Sequence, residues 1–200
     1  MRTLVLASTS TFRKTLLEKL NIPFICAKPE VDESPYDGEQ PKDLVERLAI
    51  AKAKKIAKQF PDALVIGSDQ VAYCHNKILG KPHHFDNAVN QLTSFSGQCI
   101  TFYTGLCVYD SKSDKYTSLV ELFKVYFNQL SQQEITQYLH AEQPYQCAGS
   151  FKSEGLGICL FDRLEGEDPN SLIGLPLIKL NKLLQQHDFN ILSLQNSPLP

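Results

Sequence analysis

The chain has 200 residues, of which 42% are hydrophobic and 21% are charged. These proportions are close to the globular average and exclude a disordered, collagen-like or coiled-coil chain. Twenty Lys and Arg residues against 22 Asp and Glu give a net charge of −2, which argues against a basic protein that binds a nucleic-acid polymer. A chain of this length buries roughly 70% of the surface that it exposes when unfolded, so it needs no disulfide or metal to fold.

Targeting signals and cysteine spacing point to one compartment. No stretch approaches the roughly 18 apolar residues that cross a bilayer, and the apolar run at residues 3–7 is too short for a signal peptide. The six cysteines form no CxxC pair or zinc-type cluster, and most lie in apolar runs. We therefore expect small buried thiols in a reducing environment, and we predict a cytoplasmic protein.

The first part of the chain alternates strands and helices. Residues 3–7 predict a strand, and Ser8-Thr9-Ser10 offers hydroxyl caps for a helix that we expect Pro23 to end. Residues 24–27 predict a second strand, followed by a proline-bearing acidic loop over residues 29–40.

A second helix is predicted from Pro41 to about residue 60. The apolar run 63–66 predicts a buried strand that ends where Gly67-Ser68-Asp69-Gln70 begins, the usual place for a ligand in an α/β sheet. Residues 71–79 predict a hairpin with His75-Asn76 at its turn.

The remaining pattern predicts a further helix, a long hairpin, a capped helix and a glycine-bearing loop before the last strand and helix. In order, these are residues 85–95, strands 100–109 and 115–127, a capping box at Ser131-Gln132-Gln133-Glu134 opening a helix to about residue 142, a loop at 149–157, a strand at 158–161 and a helix at 177–184. We expect the chain after Asp188 to be loosely held. No repeat or linker interrupts residues 1–200, so we predict one domain with a mixed central sheet flanked by helices, an α/β or α+β fold.

Several polar groups could carry chemistry, and each also has a plain structural explanation. The helix that follows Ser8 could bind phosphate at its N-terminus with help from Arg13, or it could be an ordinary capped helix. Asp69 could hold a cation or accept a proton, or it could cap a strand. Lys52 and Lys81 could neutralise phosphate or lie on the surface.

Other sites are poorly supported. Gly80-Lys81-Pro82 lacks the Ser or Thr of a Walker loop, and neither a GxGxxG fingerprint nor a GxSxG elbow is present. His83-His84 has no third ligand at metal-site spacing. ATPases, dinucleotide oxidoreductases, serine hydrolases and histidine metal sites are therefore disfavoured.

A set of short motifs runs in one order over nearly the whole chain. They are Leu6-Ala7-Ser8-Thr9-Ser10 with Arg13, Val31-Asp32-Glu33, Ala51-Lys52-Ala53-Lys54, Gly67-Ser68-Asp69-Gln70, Gly80-Lys81-Pro82, Ser96-Gly97, Thr104-Gly105, Ala148-Gly149-Ser150-Phe151-Lys152-Ser153-Glu154-Gly155 and Asp168-Pro169-Asn170-Ser171-Leu172-Ile173-Gly174-Leu175-Pro176. Together they resemble the Maf-like family of nucleoside triphosphate pyrophosphatases. The resemblance implies an elongated, Maf/ITPase-like α/β fold with a cleft between two lobes, and metal-dependent release of pyrophosphate from a nucleotide.

The resemblance also implies roles for individual residues. It makes Asp69 the proton acceptor, and we expect Asp69 with Glu33 to hold a divalent cation, Mg²⁺ or Mn²⁺. We expect the triphosphate to bind the hydroxyl of one residue and the cationic side chains of three others, namely Ser8, Arg13, Lys52 and Lys81.

Three positions separate the branches of the family. The branch acting on dTTP and UTP carries Arg, Thr and Gln where this chain has Phe12, Gln70 and Glu154, and the combination here resembles the 7-methyl-GTP pyrophosphatase branch. Methylation at N7 makes guanine cationic, so the aromatic face of Phe12 could attract it. An ionised Glu154 suits the N1–H and exocyclic amine of a guanine edge.

The expected function is hydrolysis of 7-methyl-GTP to 7-methyl-GMP and pyrophosphate, which removes modified nucleotides from the pool. A dTTP or UTP pyrophosphatase, an enzyme for another modified nucleotide, and a non-catalytic nucleotide-binding regulator of cell division stay open as alternatives. We expect a small-molecule nucleotide as the partner, with no nucleic-acid polymer and no membrane. A homodimer stays open, as do the roles of Lys54 and Lys152.

Exchanging the three branch-specific residues tests the branch assignment. The triple variant Phe12→Arg, Gln70→Thr and Glu154→Gln is expected to move preference from 7-methyl-GTP toward dTTP or UTP, because it removes the aromatic face and the acceptor-only carboxylate. Pyrophosphate release from each nucleotide measures the shift. A triple variant with the selectivity of the original chain would contradict the assignment.

Overall fold

A computed structural model describes residues 2–194. Its strands are β1 (Thr3–Ala7), β2 (Ile25–Ala27), β3 (Ala63–Cys74), β4 (Lys77–Leu79), β5 (Cys99–Asp110), β6 (Lys115–Phe127) and β7 (Phe161–Gly166). Its helices are α1 (Thr11–Glu18), α2 (Pro41–Ala57), α3 (Phe85–Phe95), α4 (Gln132–Glu142), α5 (Pro169–Ile173), α6 (Leu177–Gln186) and α7 (Ile191–Leu194), with 3₁₀ turns at Ala148–Ser150 and Leu156–Leu160.

The strands form one mixed sheet of seven, which confirms the predicted α/β class. The strand order is β2-β1-β3-β5-β6-β7, with β4 paired to β3. Strand β1 runs parallel to both β2 and β3, whereas the β3–β4 and β6–β7 pairs are antiparallel. The alternating strands and helices in the first part of the chain predict the parallel pairs near one edge of the sheet. The later hairpin pattern predicts antiparallel pairs elsewhere.

The chain divides into two compact units that interleave along the sequence. The first comprises the residues up to Asp69, Thr104–Glu121 and the residues from Gly174 onward, and the second comprises Gln70–Tyr103 and Leu122–Ile173. Because β3, β5 and β6 each cross from one set to the other, neither unit is a continuous stretch of sequence.

The core of the second unit is aromatic. Phe151 packs edge-on against the rings of Phe102, Phe127 and Phe161, at centroid separations of 4.9 to 5.6 Å. Such edge-to-face contacts are favourable because the positive edge of one ring meets the negative face of another. Helices α3 and α4 contribute Leu92, Phe95, Ile135 and Leu139 to the same core.

Local signals in the sequence account for several element boundaries. Ser131 and Glu134 form the expected capping box at the start of α4. His75 and Asn76 both have positive φ, 48° and 59°, which makes the two-residue turn between β3 and β4 that was predicted. Helices α1 and α3 also begin where their caps or periodicity indicate, and α3 has the predicted bounds.

Some predicted element boundaries were wrong. The first helix ends at Glu18 rather than at Pro23, because Asn21 takes a left-handed conformation with φ 50°. Residues 158–160 belong to a 3₁₀ turn, and the strand begins at Phe161 and runs through exposed polar residues that show no alternation, as a strand at a sheet edge allows. After Asp188, Phe189 and Ile191 are buried, and residues 195–200, which belong to the segment expected to be loosely held, lie outside the described part.

The expected burial of the cysteines is only partly right. Cys74 and Cys107 are buried, Cys147 is half-buried, and the other three, Cys26, Cys99 and Cys159, are exposed. All six are free thiols. Within residues 2–194, no helix has the length and apolar character to cross a membrane.

In the first unit, glycine lets α2 lie directly on the sheet. A Cβ at Gly67 would lie 2.0 Å from the carbonyl oxygen of Ala49, and one at Gly105 would lie 2.1 Å from that of Val45. Both contacts are far inside van der Waals distance, so only glycine allows this approach of helix backbone to strand. The predicted end of the strand at Gly67 is therefore wrong, because β3 continues through this residue to Cys74.

Adding one methyl group at Gly67 tests this packing. Gly67→Ala is expected to lower the free energy of unfolding by roughly 1–3 kcal/mol, because the Cβ must push α2 away from β3. Gly80→Ala is the matched control, since nothing lies within 4 Å of a Cβ there. Urea denaturation of both variants measures the difference, and equal stabilities would contradict the packing argument.

Candidate functional site

Two carboxylates of the first unit converge on one ammonium group. Lys52 Nζ lies 2.6 Å from Asp69 Oδ1 and 2.8 Å from Glu33 Oε1. Lys52 comes from α2, Asp69 from β3 and Glu33 from the loop before α2. The side chains of Lys52 and Asp69 are only 6% and 10% exposed, whereas that of Glu33 is 59% exposed.

The close approach of α2 to β3 places this ion pair. Lys52 is adjacent in sequence to Ala53, whose backbone nitrogen would lie 2.9 Å from a Cβ at Gly67. Asp69 is two residues beyond Gly67 on the same strand, so both charged groups project from the contact that the glycine permits. Burial strengthens their attraction, because less water screens it.

Arg13 is held beside the same two carboxylates. Its Nε donates to the carbonyl oxygen of Gly174 at 2.9 Å. Burial lowers the pKa of Arg13, and the charges of Asp69 and Glu33 oppose that lowering. The predicted residues Arg13, Glu33, Lys52 and Asp69 therefore belong to one electrostatic group.

The carbonyl oxygen of Gly174 is a shared hydrogen-bond acceptor in the site, a role that the sequence alone does not predict. It accepts the Ser68 hydroxyl at 2.9 Å as well as Arg13 Nε. Gly174 has φ 119°, a conformation that side-chain-bearing residues rarely adopt. The glycine in the Ile173-Gly174-Leu175 motif and the buried Ser68 next to Asp69 were the available signals, but only the fold shows that they meet.

Two more predicted residues lie at the start of α1. Ser8 is buried, and its Oγ accepts the Ser10 N–H at 3.1 Å, while Ser10 Oγ caps the helix by accepting the Arg13 N–H at 3.4 Å. Phe12 is half-buried. The first turn of α1 contains no acidic residue, so the positive end of the helix dipole is unopposed there by its own side chains.

The other predicted residues belong to the second unit. Lys81 and Glu154 are exposed, and the charges of both affect the pKa of the Cys147 thiol. The pKa of the Cys147 thiol is raised to about 11, mainly by burial and then by the charge of Glu154, while the charges of Lys152 and Lys81 oppose the rise. The charged groups around Cys147 are therefore Lys81, Lys152 and Glu154. The sequence predicts Cys147 only as a small buried thiol.

Gln70 is tied to backbone within the second unit. Its Nε2 donates to the carbonyl oxygens of Ser171 at 2.6 Å and Leu172 at 3.2 Å, both in α5. This amide therefore positions the segment that precedes Gly174. Its role in base selection stays a prediction.

The two lysines whose roles were left open differ. Lys54 is exposed and lines a shallow depression with Lys58, Tyr109, Ser111 and Asp114. Lys152 is half-buried and forms an ion pair with Glu142 at 3.1 Å.

The donor set bears on the expected metal. Among residues 2–194, no three or more His, Cys, Asp or Glu side chains lie together as a metal-binding group, so His83-His84 forms none. Mg²⁺, however, is commonly bound by one or two carboxylates completed by substrate phosphates. Asp69 and Glu33, which already share one cationic partner, fit such a cation bound together with a triphosphate.

Comparison with known proteins identifies the family. The model of the family described as "Maf-like protein" matches residues 3–187. The chain belongs to the Maf-like family. The match spans both units, so every residue described above in the two polar groups lies within it.

Relatives with curated names are similar over nearly the full chain. A protein named 7-methyl-GTP pyrophosphatase from Colwellia psychrerythraea is 68% identical, covering 98% of this chain and 98% of that one. Proteins of the same name from Pseudoalteromonas translucida and Vibrio parahaemolyticus are 56% and 54% identical, covering 98% and 94% of this chain and 98% and 97% of theirs. Among solved structures, the Staphylococcus aureus Ham1 protein aligns with a TM-score of 0.43 at 12% identity, covering 64% of this chain and 73% of that one.

The buried ion pair makes a prediction about stability. Lys52→Met is expected to lower the free energy of unfolding by about 3 kcal/mol near pH 7, because it leaves the buried Asp69 carboxylate without its cation. Lys54→Met is the matched control, an exposed lysine on the same helix whose loss is expected to change stability by less than about 0.5 kcal/mol. Chemical denaturation measures both, and a Lys52→Met variant as stable as the control would contradict this account.

Proposed function

We propose that this protein is a nucleotide pyrophosphatase that hydrolyses 7-methyl-GTP to 7-methyl-GMP and pyrophosphate. The observation that carries the proposal is that relatives 54% to 68% identical over nearly their whole length bear that name. At such identity the whole fold is shared, so the substrate class is expected to be shared also. The polar groups of the two units supply side chains that suit the chemistry.

The chemical step is attack of water on the α-phosphorus. A bond forms between the water oxygen and that phosphorus, the bond from phosphorus to the bridging oxygen of the β-phosphate breaks, and pyrophosphate leaves. Asp69 takes a proton from the attacking water and passes it to solvent. Its ion pair with Lys52 at 2.6 Å supports this role, because the contact fixes one carboxylate oxygen and thereby orients the group.

Negative charge on the triphosphate is balanced by cationic groups. Arg13 and Lys52 lie beside the two carboxylates of the first unit. Lys81, an exposed cation, stays a predicted phosphate ligand. Guanidinium and ammonium groups hold phosphate oxygens and stabilise the charge that builds up on the leaving pyrophosphate. Ser8 adds a hydroxyl at the start of α1.

A divalent cation is the proposed cofactor, with Asp69 and Glu33 as its protein ligands. When bound, Mg²⁺ or Mn²⁺ would neutralise phosphate charge. The exposure of Glu33 supports this assignment, since a 59% exposed carboxylate can turn from Lys52 toward an arriving cation without unfavourable burial.

Base recognition is assigned to Phe12 and Glu154, with Gln70 as the third branch-specific residue. A half-buried aromatic ring can stack on the cationic 7-methylguanine ring. The exposed Glu154 carboxylate can accept hydrogen bonds from N1–H and the exocyclic amine. We further propose a cytoplasmic location, where nucleoside triphosphates are made and used.

Asp69→Asn tests the proposed function. The variant is expected to keep its fold, because asparagine has nearly the same shape, but to lose nearly all release of pyrophosphate from 7-methyl-GTP, because an amide cannot take the proton. Asp162→Asn, an exposed residue of β7, is the control and is expected to keep full activity.

The same assay separates the alternatives. Wild-type activity with Mg²⁺ that EDTA abolishes supports a metal-dependent enzyme. Tight binding of 7-methyl-GTP without product would indicate a regulator instead. An Asp69→Asn variant with near wild-type turnover would remove Asp69 from the mechanism.

A further inference from the structure

The turn that carries Glu154 is tied to α4 at both of its ends. At one end, the Lys152 N–H donates to Tyr138 Oη at 3.1 Å. At the other end, the Leu156 N–H donates to Glu142 Oε2 at 2.9 Å. Between these ends, the Gly155 N–H donates to the Lys152 carbonyl at 3.2 Å and closes the turn.

Glu142 is the residue that makes most of these ties. Besides Leu156, its carboxylate receives Lys152 Nζ at 3.1 Å, and the same ammonium group also donates to the Glu142 backbone carbonyl at 3.1 Å. The hydrogen bond from Leu156 and the ion pair with Lys152 lower the pKa of Glu142, although burial opposes this. The carboxylate therefore stays ionised while it holds the turn.

The chain passes very close to this carboxylate. A Cβ at Gly155 would lie 2.6 Å from Glu142 Oε2, so a side chain there would displace this carboxylate. The Glu142 side chain is 16% exposed. Its contacts with Lys152 are partly buried, whereas its contact with the Leu156 N–H is exposed.

The position of Glu142 within α4 shows that it does not serve the helix. It is the last residue of α4, where the negative end of the helix dipole disfavours a carboxylate. Its favourable contacts are with the turn at residues 152–156. A carboxylate in an unfavourable helix position with such contacts is placed to hold that turn.

Glu154 itself is left outward by this arrangement. It is exposed, and its Oε2 receives the Ser153 hydroxyl at 3.4 Å, a long hydrogen bond. A carboxylate on a turn fixed on both sides loses little conformational freedom when a ligand binds it, which favours selective binding.

We propose that Glu142 is a positioning residue for base selection, fixing the turn at residues 152–156 so that Glu154 can meet a guanine-type edge. This inference rests on the proposed function, because it takes Glu154 to contact the base. Glu142 does not touch the nucleotide in this proposal. Its contribution falls on substrates with paired N–H donors and not on pyrimidines, which lack them.

Two substitutions at Glu142 test the proposal by degree. Glu142→Ala removes the carboxylate contacts with the Leu156 N–H and with Lys152 Nζ. It is expected to raise KM for 7-methyl-GTP about tenfold with little change in kcat, because the binding group is misplaced while the reacting groups are not. Values for UTP are expected to change far less. Glu142→Gln keeps an acceptor for the Leu156 N–H, so it is expected to restore part of the selectivity.

A double variant and a matched control complete the design. If Glu142 acts through Glu154, then Glu142→Ala combined with Glu154→Gln selects no worse than Glu154→Gln alone. Glu134→Gln disturbs the capping box at the other end of the same helix and is expected to lower stability without changing the ratio of 7-methyl-GTP to UTP activity. Hydrogen exchange at the Leu156 amide is expected to accelerate in Glu142→Ala and not in Glu134→Gln.

The outcomes separate this inference from the function on which it rests. A wild-type protein without activity on 7-methyl-GTP overturns the proposed function, and this inference with it. An active wild type whose Glu142→Ala variant keeps both its KM and its selectivity overturns the inference alone. Equal losses for 7-methyl-GTP and UTP, or additive losses in the double variant, also overturn it, since they indicate a merely structural role.

Discussion

Two carboxylates share one buried ammonium group in the first unit, and much of that unit is arranged to make this sharing possible. Removing Lys52 and Asp69 from water costs free energy that only a close and well-oriented partner offsets. The distances of 2.6 and 2.8 Å show that the partners are close. The glycines that let α2 lie against the sheet are therefore part of the polar site as much as the charged residues are, because one methyl group between helix and strand would separate the charges.

In the second unit, too, backbone contacts fix the position of a charged side chain. There the fixed part is the turn tied to α4, and the outward part is the Glu154 carboxylate. The first unit concentrates buried, paired charge, whereas the second presents exposed charge from Lys81 and Glu154. Binding phosphate requires strong local fields, which suits the buried charges around Arg13 and Lys52. Reading a base edge requires an accessible group with little freedom, which suits Glu154.

Much of this could be predicted from the sequence, and the limits have physical causes. Local conformational preferences explain the capping box at Ser131, the His75-Asn76 turn and the bounds of α3. A few neighbouring residues determine such preferences, so they can be read from the sequence. The apolar run that stops at Ile66 predicts the end of a strand at Gly67, and only the packing of α2 shows that this glycine allows close contact within a longer strand. The motifs predict Arg13, Glu33, Lys52 and Asp69 as site residues. The double use of the Gly174 carbonyl and the contacts of Glu142 depend on residues that are apart in the chain, and no local pattern predicts them.

The interleaving of the two units has a consequence for how the chain reaches its fold. The first unit is assembled from three stretches of sequence and the second from two. Completing the first unit requires residues near the N-terminus to meet the segment after Gly174, across a long closed loop of chain. Contacts so distant in sequence form slowly, because the entropy of loop closure must be lost before they stabilise anything. During synthesis Gly174 emerges long after Arg13, so the contact of Arg13 with the Gly174 carbonyl forms late.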